Sequence, residues 1–299
     1  MPTLTIFTAT YNRLKLIGRL YESLTRQNNF DFEWLVVDDG STDGTDLYFE
    51  DLLVLHHPFQ IRYYHQDNQG LIRSLNKGIS LAEGKYFSKI DSDDYVVDDF
   101  VETMLSWIDD VKGQDKIYAV GGVRILPDGS PLKGTWPLID NYIDASDIER
   151  PKYNLDADMT EAWRLDVLRK YVFPVWPGEK FAPEQLVLHR IAMDGYLIRW
   201  RPKSLVVCEY QEGGLTRGAD KLIKDNPMGY AMMWNQMTTR SDIGFFNRIK
   251  ASANFITQCL LGHNLSFLLK AERPFLATVA FLPGFLLFFR RKRQLRSII

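Results

Sequence analysis

Three carboxylates, Asp91, Asp93 and Asp94, directly follow the segment 85–90, which reads as a short strand. Side chains alternate along an extended chain, so Asp91 and Asp93 are expected on one side, where the strand leaves its sheet. Like charges this close repel, and partial burial increases the repulsion, so a cation is expected between them. Hard carboxylate oxygens suit Mg²⁺ or Mn²⁺, often shared with substrate phosphates. The alternative, that one Asp caps a helix beginning near Tyr95, leaves two carboxylates unexplained.

The elements that must position these carboxylates alternate between strand and helix patterns. Strand-like runs lie at 4–8, 33–37 and 61–65, and helical spacing of apolar residues follows each at 16–24, 45–55 and 71–83. This alternation indicates βαβ units and a mainly parallel sheet. Because ligands of such sheets bind beyond the carboxyl ends of the strands, the polar clusters Thr10-Tyr11, Asp38-Asp39 and Asp91–Asp94 are expected to form one site.

The overall composition narrows the class of protein. Hydrophobic residues at 45% and charged residues at 25% are typical of an ordinary folded chain of 299 residues. The absence of Gly-x-Gly-x-x-Gly and Gly-x4-Gly-Lys-Ser/Thr argues against a dinucleotide fold and a P-loop. Cys208 and Cys259 are far apart in apolar surroundings, which indicates core residues of a reduced compartment. Residues 1–9 have no basic start and read as a strand, so no signal peptide is expected.

Several segments, in order and at normal spacing, resemble the family 2 glycosyltransferases over about the first 110 residues. They are TATYNR (8–13), VVDDGSTD (36–43), NQG (68–70), NKG (76–78), AEGKY (82–86) and DSDD (91–94). The resemblance implies an inverting enzyme with the α/β GT-A fold, a Rossmann-like, mixed and mainly parallel sheet with flanking helices.

The resemblance also implies roles for individual residues. Thr10, Tyr11 and Asp39 would hold the uracil and ribose end of a UDP-sugar. Asp91, Ser92 and Asp93 would form the DxD motif, with Asp93 on Mn²⁺ or Mg²⁺, Asp91 near the ribose or the sugar, and Asp94 also able to reach the metal. A loop resembling the family's Gly-Leu-Ser/Thr segment (213–216) would fold over the diphosphate, with Arg217 or Lys221 reaching phosphate.

The catalytic base is identified from a second part of the family pattern. Family members often carry Glu-Asp, with an Arg six residues after the Asp, and the Asp is the base. Here Glu184 stands six residues before Arg190, and Pro183 takes the place of the first acid. Glu184 is therefore the candidate base and Glu179 the reserve, with Asp156 and Asp158 to be tested next. The alternative is that Glu184 only complements a helix dipole.

Further patterns predict the domain organisation. Residues 1–235 are expected to form the glycosyltransferase domain, with a nucleotide-sugar half (1–110) and an acceptor half (111–235), and residues 236–299 a helical C-terminal region. In the acceptor half we expect a strand over 117–125, a loop over 130–158 that lies on the acceptor, a helix over 160–170 and a strand over 205–210.

The C-terminal region combines an apolar run with basic residues. Residues 275–289 are apolar, are interrupted by Pro283-Gly284, and are followed by four consecutive basic residues. A spanning helix needs about 20 apolar residues, so a monotopic segment on the cytoplasmic face of the cell membrane is expected, through residues 275–296. The alternative is a buried core helix with a solvated basic end.

Together these patterns predict transfer of a sugar from a nucleotide sugar to a hydroxyl of a lipid-linked oligosaccharide or other envelope glycan, without a nucleic-acid partner. One rival is a sugar nucleotidyltransferase, which would need a Gly-rich N-terminal loop with Arg and Lys that residues 8–13 lack. The other is a non-catalytic nucleotide-sugar or glycan binding module, which the altered Pro183-Glu184 pattern keeps open.

Overall fold

The computed structural model describes residues 1–136, 141–209 and 219–296. The chain divides into two compact units, the first comprising Met1–Val172 and His189–Gln211 and the second Phe173–Leu188 and Glu212–Ile299. The predicted division of the chain into the domains 1–235 and 236–299 stays a prediction. The boundaries of the two compact units lie at other residues. The described residues from 219 to 235 belong with the C-terminal helices.

The described part of the first unit contains a mixed sheet with flanking helices. Its strands are β1 (Leu4–Thr10), β2 (Phe32–Asp38), β3 (Gln60–His65), β4 (Tyr86–Lys89), β5 (Tyr95–Val96), β6 (Ile117–Ile125), β7 (Ile143–Ala145), β8 (Met159–Arg164) and β9 (Leu197–Val207). The helices are α1 (Leu14–Thr25), α2 (Thr45–Leu53), α3 (Leu71–Leu81), α4 (Phe100–Asp110) and α5 (Leu165–Leu168), with a 3₁₀ helix at Arg150–Tyr153; α6 (Gln185–Met193) follows along the chain.

The strand order is β3-β2-β1-β4-β8-β6-β9-β5, and β7 pairs with β9. The strands β1 to β4 are parallel to one another, and β8 is antiparallel to both β4 and β6. The βαβ units predicted from the alternating patterns are therefore confirmed for the first four strands. In β1 and β2 the apolar side chains are buried on both faces of the sheet, as expected for a parallel sheet covered by helices.

Two expectations for the later part of this unit are confirmed only in part. Residues 159–164 form strand β8, with Trp163 opposite Phe87 of β4, so only Leu165–Leu168 of the predicted helix 160–170 is helical. The strand expected at 205–210 begins eight residues earlier, since β9 is Leu197–Val207. The strand predicted over 117–125 is confirmed by β6.

The regular elements of the second unit, within its described residues, are helices. After α6 come α7 (Ala219–Asp225), α8 (Pro227–Met237), α9 (Phe245–Leu261), a 3₁₀ helix at Leu265–Lys270, α10 (Pro274–Val279) and α11 (Phe281–Arg296). Its apolar core includes Phe255 and Cys259 of α9 and Ala280 between α10 and α11. At Gly284, α11 approaches α9 so closely that a Cβ would lie 2.8 Å from a backbone oxygen. Over the described ranges, the helices are too short or too polar to cross a membrane.

Candidate nucleotide-sugar site

The polar segments predicted from sequence meet at one edge of the sheet. Strands β1 and β2 are parallel with Thr10 opposite Asp38, and β4 lies on the other side of β1 with Lys89 opposite Phe7. The N–H of Asp39 donates to the Thr10 carbonyl at 2.9 Å, which joins the first two strand ends. The segments that follow β1, β2 and β4 therefore share one rim, as expected for the carboxyl ends of parallel strands.

The segment after β1 combines a buried hydroxyl with an exposed ring. Thr10 is buried, and its Oγ1 has no hydrogen-bond partner within the described ranges, whereas Tyr11 is 50% exposed. Asn12 has a left-handed backbone (φ 52°). Its N–H donates to Ser41 Oγ and its side-chain oxygen accepts the N–H of Thr42, each at 2.8 Å. This crosslink fixes the loop carrying Tyr11 to the loop after β2.

Asp39 is engaged inside the protein. Its two carboxylate oxygens accept the backbone N–H groups of Gln69 at 2.9 Å and Gly70 at 2.7 Å, so it holds the Asn-Gln-Gly segment at the rim. Gly40 has φ +85°, and a Cβ there would lie 2.9 Å from the backbone N of Asn68, so only glycine fits this turn. The role of Asp39 at the nucleoside stays a prediction.

The acidic segment is a turn and not an extended strand. Strand β4 ends at Lys89, and the N–H of Asp94 donates to the Asp91 carbonyl at 3.1 Å. The alternation expected from sequence therefore does not apply beyond the strand. Nη1 of Arg124, on β6, lies 3.1 Å from Oδ2 of Asp91 and 3.1 Å from Oδ2 of Asp94. The cation that lies between the carboxylates of Asp91 and Asp94 is therefore the guanidinium group of Arg124.

The side chain of Asp93 lies apart from that arrangement. Its carboxylate is 3.8 Å from Arg13 Nη2, and the side chain is 23% exposed. Asp94 is buried, and its Oδ2 also accepts the thiol hydrogen of Cys208 at 3.1 Å. Ser92, between the two ends of the motif, is buried as well.

These surroundings separate the acidities of the three carboxyl groups. Burial opposes ionisation of Asp91, but the charges of Lys89 and Arg124 outweigh it and lower its pKa to about 2. Burial raises the pKa of Asp94 to about 7 despite the nearby Arg124. Burial, followed by the charge of Asp91, raises the pKa of Asp93. Asp91 is therefore the carboxylate most strongly held in its ionised form.

Whether these residues fit a divalent cation depends on Asp93. Within the described ranges no group of three or more His, Cys, Asp or Glu side chains is arranged to hold a metal. A single hard, partly exposed carboxylate completed by diphosphate oxygens is nevertheless an ordinary way to hold Mg²⁺. The residues present thus fit a metal that is shared with a phosphate ligand. Asp93 would hold it from the protein side, and the metal role of Asp91 and Asp94 stays a prediction.

Glu184 lies at the start of α6, in the second unit. Its carbonyl accepts the N–H groups of Val187 at 2.9 Å and Leu188 at 3.2 Å, so the predicted helix start is confirmed. Glu184 is partly exposed and Arg190 is exposed. The reserve candidate Glu179 is buried, because its carboxylate caps another helix of the same unit.

The remaining predicted residues have mixed outcomes. Asp156 accepts the N–H and the hydroxyl of Thr135 at 2.8 and 2.9 Å, a local turn contact. Lys221 on α7 pairs with Asp225 at 3.6 Å. Arg217 and the loop 213–216 lie outside the described residues, so their contact with phosphate stays a prediction.

Sequence reasoning missed two charged residues of the first unit. Arg124 lies near the end of β6, and the sequence pattern predicts it only as one residue of that strand. Glu161 lies on β8 opposite Gly121. Burial raises its pKa to about 7, although the charge of nearby Arg150 acts to lower it. A charged residue within an otherwise apolar strand is the signal that could have identified either of them.

Comparison with known families identifies the first half of the chain. The model of the family "Glycosyl transferase family 2" matches residues 5–152, the region that carries the rim. This region, about half of the chain, therefore belongs to the family. A putative glycosyltransferase, EpsH of Bacillus subtilis, is 36% identical over 178 residues, which is 60% of this chain and 44% of that protein. Chondroitin synthase of Escherichia coli is 35% identical over 105 residues, 35% of this chain and 15% of the synthase. The chain therefore matches less than half the length of these curated relatives.

Solved structures show the same fold at low identity. Staphylococcus aureus TarS 1-349 in complex with UDP-GlcNAc has a TM-score of 0.61 and 19% identity, covering 97% of this chain and 81% of that one. The mannosyltransferase PcManGT of Pyrobaculum calidifontis, in complex with GDP-Man and Mn²⁺, has a TM-score of 0.53 and 18% identity, covering 97% and 84%. The mixed α/β sheet with flanking helices thus resembles the GT-A glycosyltransferases.

Proposed function

We propose that this glycosyltransferase moves a sugar from a UDP-sugar to an acceptor hydroxyl, with inversion and with a divalent cation as cofactor. The observation that carries the proposal is the shared rim, where the exposed ring of Tyr11 and the partly exposed carboxylate of Asp93 follow neighbouring parallel strands. Tyr11 would lie against the base, and Asp93 would face the diphosphate. A bound cation would neutralise charge that develops on the diphosphate.

The donor class is supported by the structural neighbours. TarS binds UDP and UDP-GlcNAc, and PcManGT binds GDP-Man with Mn²⁺. A nucleotide sugar is therefore a ligand that these two neighbours share. Uracil is proposed because the segments that carry Thr10, Tyr11 and Asp39 resemble the family's uracil site.

We propose Glu184 as the general base. It would take the proton of the acceptor hydroxyl while that oxygen attacks the anomeric carbon, and the bond from this carbon to the diphosphate oxygen would break with its electron pair on the diphosphate. A displacement from the opposite side inverts the anomeric centre. The support is the spacing to Arg190 and the partial exposure of the side chain at a helix start.

A membrane-linked acceptor is proposed from the second unit. On α11, Leu282, Phe285, Leu286 and Phe289 are exposed at the i, i+3, i+4 and i+7 spacing of one helix face. Basic residues follow at 290–293. Such a face, with cations at its end, suits an anionic membrane surface. The proposed location is the cytoplasmic face of the membrane, and the acceptor a lipid-linked oligosaccharide or other envelope glycan.

Release of the nucleotide tests the function directly. The full chain is incubated with UDP-, GDP- and dTDP-sugars, with Mn²⁺ or with EDTA, and the free nucleoside diphosphate is measured. We expect UDP release from one UDP-sugar, in the presence of Mn²⁺ only. Binding of a UDP-sugar without release would favour the binding module instead, and formation of UTP in a parallel incubation with added pyrophosphate would favour the nucleotidyltransferase.

A further inference from the structure

A pocket of about 490 Å³ lies in the second unit, at the start of α9. It is lined by Phe245 and Arg248 of α9 and by the segment 272–276, which leads into α10. This segment is anchored to α8, because the N–H of Glu272 donates to the side-chain oxygen of the buried Asn235 at 2.9 Å. The lining of the pocket is thus fixed by a hydrogen bond to the interior of the unit.

The polar lining of the pocket suits a single negative charge. Arg248 and Arg273 contribute two guanidinium groups and Glu272 one carboxylate, which leaves one formal positive charge. The Nε of Arg248 is buried and has no hydrogen-bond partner among the described residues, whereas Arg240 of the same unit donates from its Nε to Asp242 at 3.0 Å. A buried donor without an acceptor is unfavourable, so a ligand that supplies an acceptor would be stabilised. Guanidinium groups bind phosphate oxygens through paired hydrogen bonds.

The apolar lining continues into an exposed apolar surface. Phe245, Pro274 and Phe275 form apolar walls of the pocket, and Phe245 and Phe275 are 47% and 70% exposed. Val279 is exposed one helical turn after Phe275, and the exposed face of α11 begins three residues later at Leu282. A ligand that carries both a phosphate and hydrocarbon chains would use the guanidinium groups and the apolar walls together, whereas an inorganic anion would leave the walls exposed to water.

We propose that this pocket binds the phosphodiester headgroup of an anionic membrane phospholipid of the phosphatidylglycerol type. The phosphate would lie on Arg248 and Arg273, and the first part of the acyl chains against Phe245 and Phe275. The inference rests on the proposed attachment to a membrane and names the lipid that the second unit recognises.

The pocket and the basic residues 290–293 lie toward opposite ends of the helices α10 and α11. Arg290 follows Arg273 by seventeen residues, which corresponds to at most about 25 Å of helix. Cationic groups at both ends of the exposed apolar face would hold these helices along the membrane surface, with the lipid headgroup at one end and the basic run at the other.

Calorimetry with a soluble lipid tests the pocket without vesicles and without turnover. The full chain is titrated with dihexanoyl-phosphatidylglycerol below its critical micelle concentration, and we expect saturable binding at one site. Arg248→Gln should weaken this binding at least about tenfold, since it removes a charge-assisted contact to the phosphate. Phe275→Gln should weaken it by about tenfold, because it removes an apolar wall. If Arg248→Gln does not fold, Arg273→Gln, at an exposed position, takes its place.

The matched control is Lys250→Gln, which removes an equal charge from an exposed side chain of α9 that does not line the pocket. It should bind the lipid like wild type. Inorganic phosphate and glycerol phosphate supply the anion without the chains, and should bind at least about tenfold more weakly than the lipid.

Three results would overturn the inference: no saturable binding of the lipid by wild type, equal losses in Arg248→Gln and Lys250→Gln, or phosphate that binds as tightly as the lipid. Flotation of wild type with vesicles but no binding of the soluble lipid would mean attachment through the α11 face without this pocket. Release of UDP by wild type, measured in parallel, tests the transferase separately, since lipid binding without any UDP release would reject the proposed activity and leave the pocket supported.

Discussion

The carboxylate of Glu179 accepts the backbone N–H of Met228 at 2.7 Å, and its other oxygen accepts the N–H of Gly229 at the same distance. Both donors lie in the first turn of α8, where N–H groups have no partner within the helix and a negative charge is favourable. Asn226, directly before α8, links the two segments in the other direction. Its side-chain oxygen accepts the N–H groups of Lys180 and Phe181 at 2.9 Å. This mutual capping fixes the loop that leads to Glu184.

Glu179→Gln should therefore act on stability. The amide keeps one acceptor oxygen but turns an NH₂ group toward the other backbone N–H, which leaves a buried donor unsatisfied. We expect a loss of about 1–3 kcal/mol in the free energy of unfolding, measured by urea denaturation. The matched control is Glu184→Gln, which should unfold like wild type because Glu184 is partly exposed. Equal stability of both variants would contradict a capping role for Glu179.

Glu184→Gln should instead act on turnover. A positioned general base contributes about 10²–10⁴ in rate, so we expect transfer to fall by that factor while the melting temperature and Mn²⁺-dependent UDP binding are retained. Steady-state release of UDP with the acceptor present measures the effect. Near-normal transfer by Glu184→Gln would place the base elsewhere, and Asp158 would be tested next.

Asp93→Asn should abolish the enhancement of UDP binding by Mn²⁺, because an amide oxygen is a much weaker ligand for a hard cation than a carboxylate. Calorimetry with UDP, in Mn²⁺ and in EDTA, measures the difference. Asp98→Asn, which removes an exposed carboxylate five residues along the chain, is the control and should bind as wild type. If wild type binds UDP equally in Mn²⁺ and in EDTA, the metal has no role in donor binding.

The first half of the fold could be predicted because the sequence patterns that define its strands and helices each lie within a short segment. Strands β1 to β3 are short runs rich in β-branched or aromatic residues, and each has a helix-spaced pattern after it. Parallel pairing of these strands and β4 then brings their polar ends together. Residues 159–164 could not be assigned in this way. Ala162 and Trp163 are compatible with a helix by spacing, and only the pairing of β8 with both β4 and β6 makes this segment a strand.

The chemistry of the acidic turn shows the same limit. The residues Asp91, Asp93 and Asp94 were identified because they lie within four consecutive positions of the sequence. The cation that two of them share comes from Arg124, 30 to 33 residues further along, and no spacing rule connects a turn to the end of a distant strand. The tertiary structure was needed to separate Asp93 from its neighbours.

The contribution of Glu161 to the stability of the first unit should fall as the pH rises toward neutrality. Burial raises the pKa of Glu161 from 4.5 to about 7, so the native state binds its proton more tightly than the unfolded chain does. The protonated form is lost as the pH rises through this interval, which destabilises the native state. Glu161→Gln removes the titration, so relative to wild type it should gain on the order of 2 kcal/mol between pH 4.5 and 8.

Urea denaturation of wild type and Glu161→Gln at the two pH values checks this sign. Glu50→Gln, an exposed glutamate of α2, controls for the loss of one negative charge. A difference between wild type and Glu161→Gln that does not change with pH would show that Glu161 does not titrate in this range.

The exposed face of α11 gives the last prediction. Deleting residues 275–299 would also remove Ala280 and Gly284, which pack on α9, so loss of membrane binding could then reflect unfolding. The triple variant Leu282→Gln, Leu286→Gln and Phe289→Gln changes side chains that are 65%, 61% and 54% exposed. Each apolar side chain is worth about 1.5–3 kcal/mol when fully buried, so we expect at least about a tenfold loss of binding to vesicles that contain phosphatidylglycerol.

The control is the double variant Val54→Gln and Val172→Gln, which changes two exposed apolar positions of the first unit. Flotation at rising salt distinguishes the contribution of the basic residues to vesicle binding from that of the apolar face. Flotation of the triple variant at the level of wild type would mean that this face does not contact the membrane, and the lipid-linked acceptor would lose its main support.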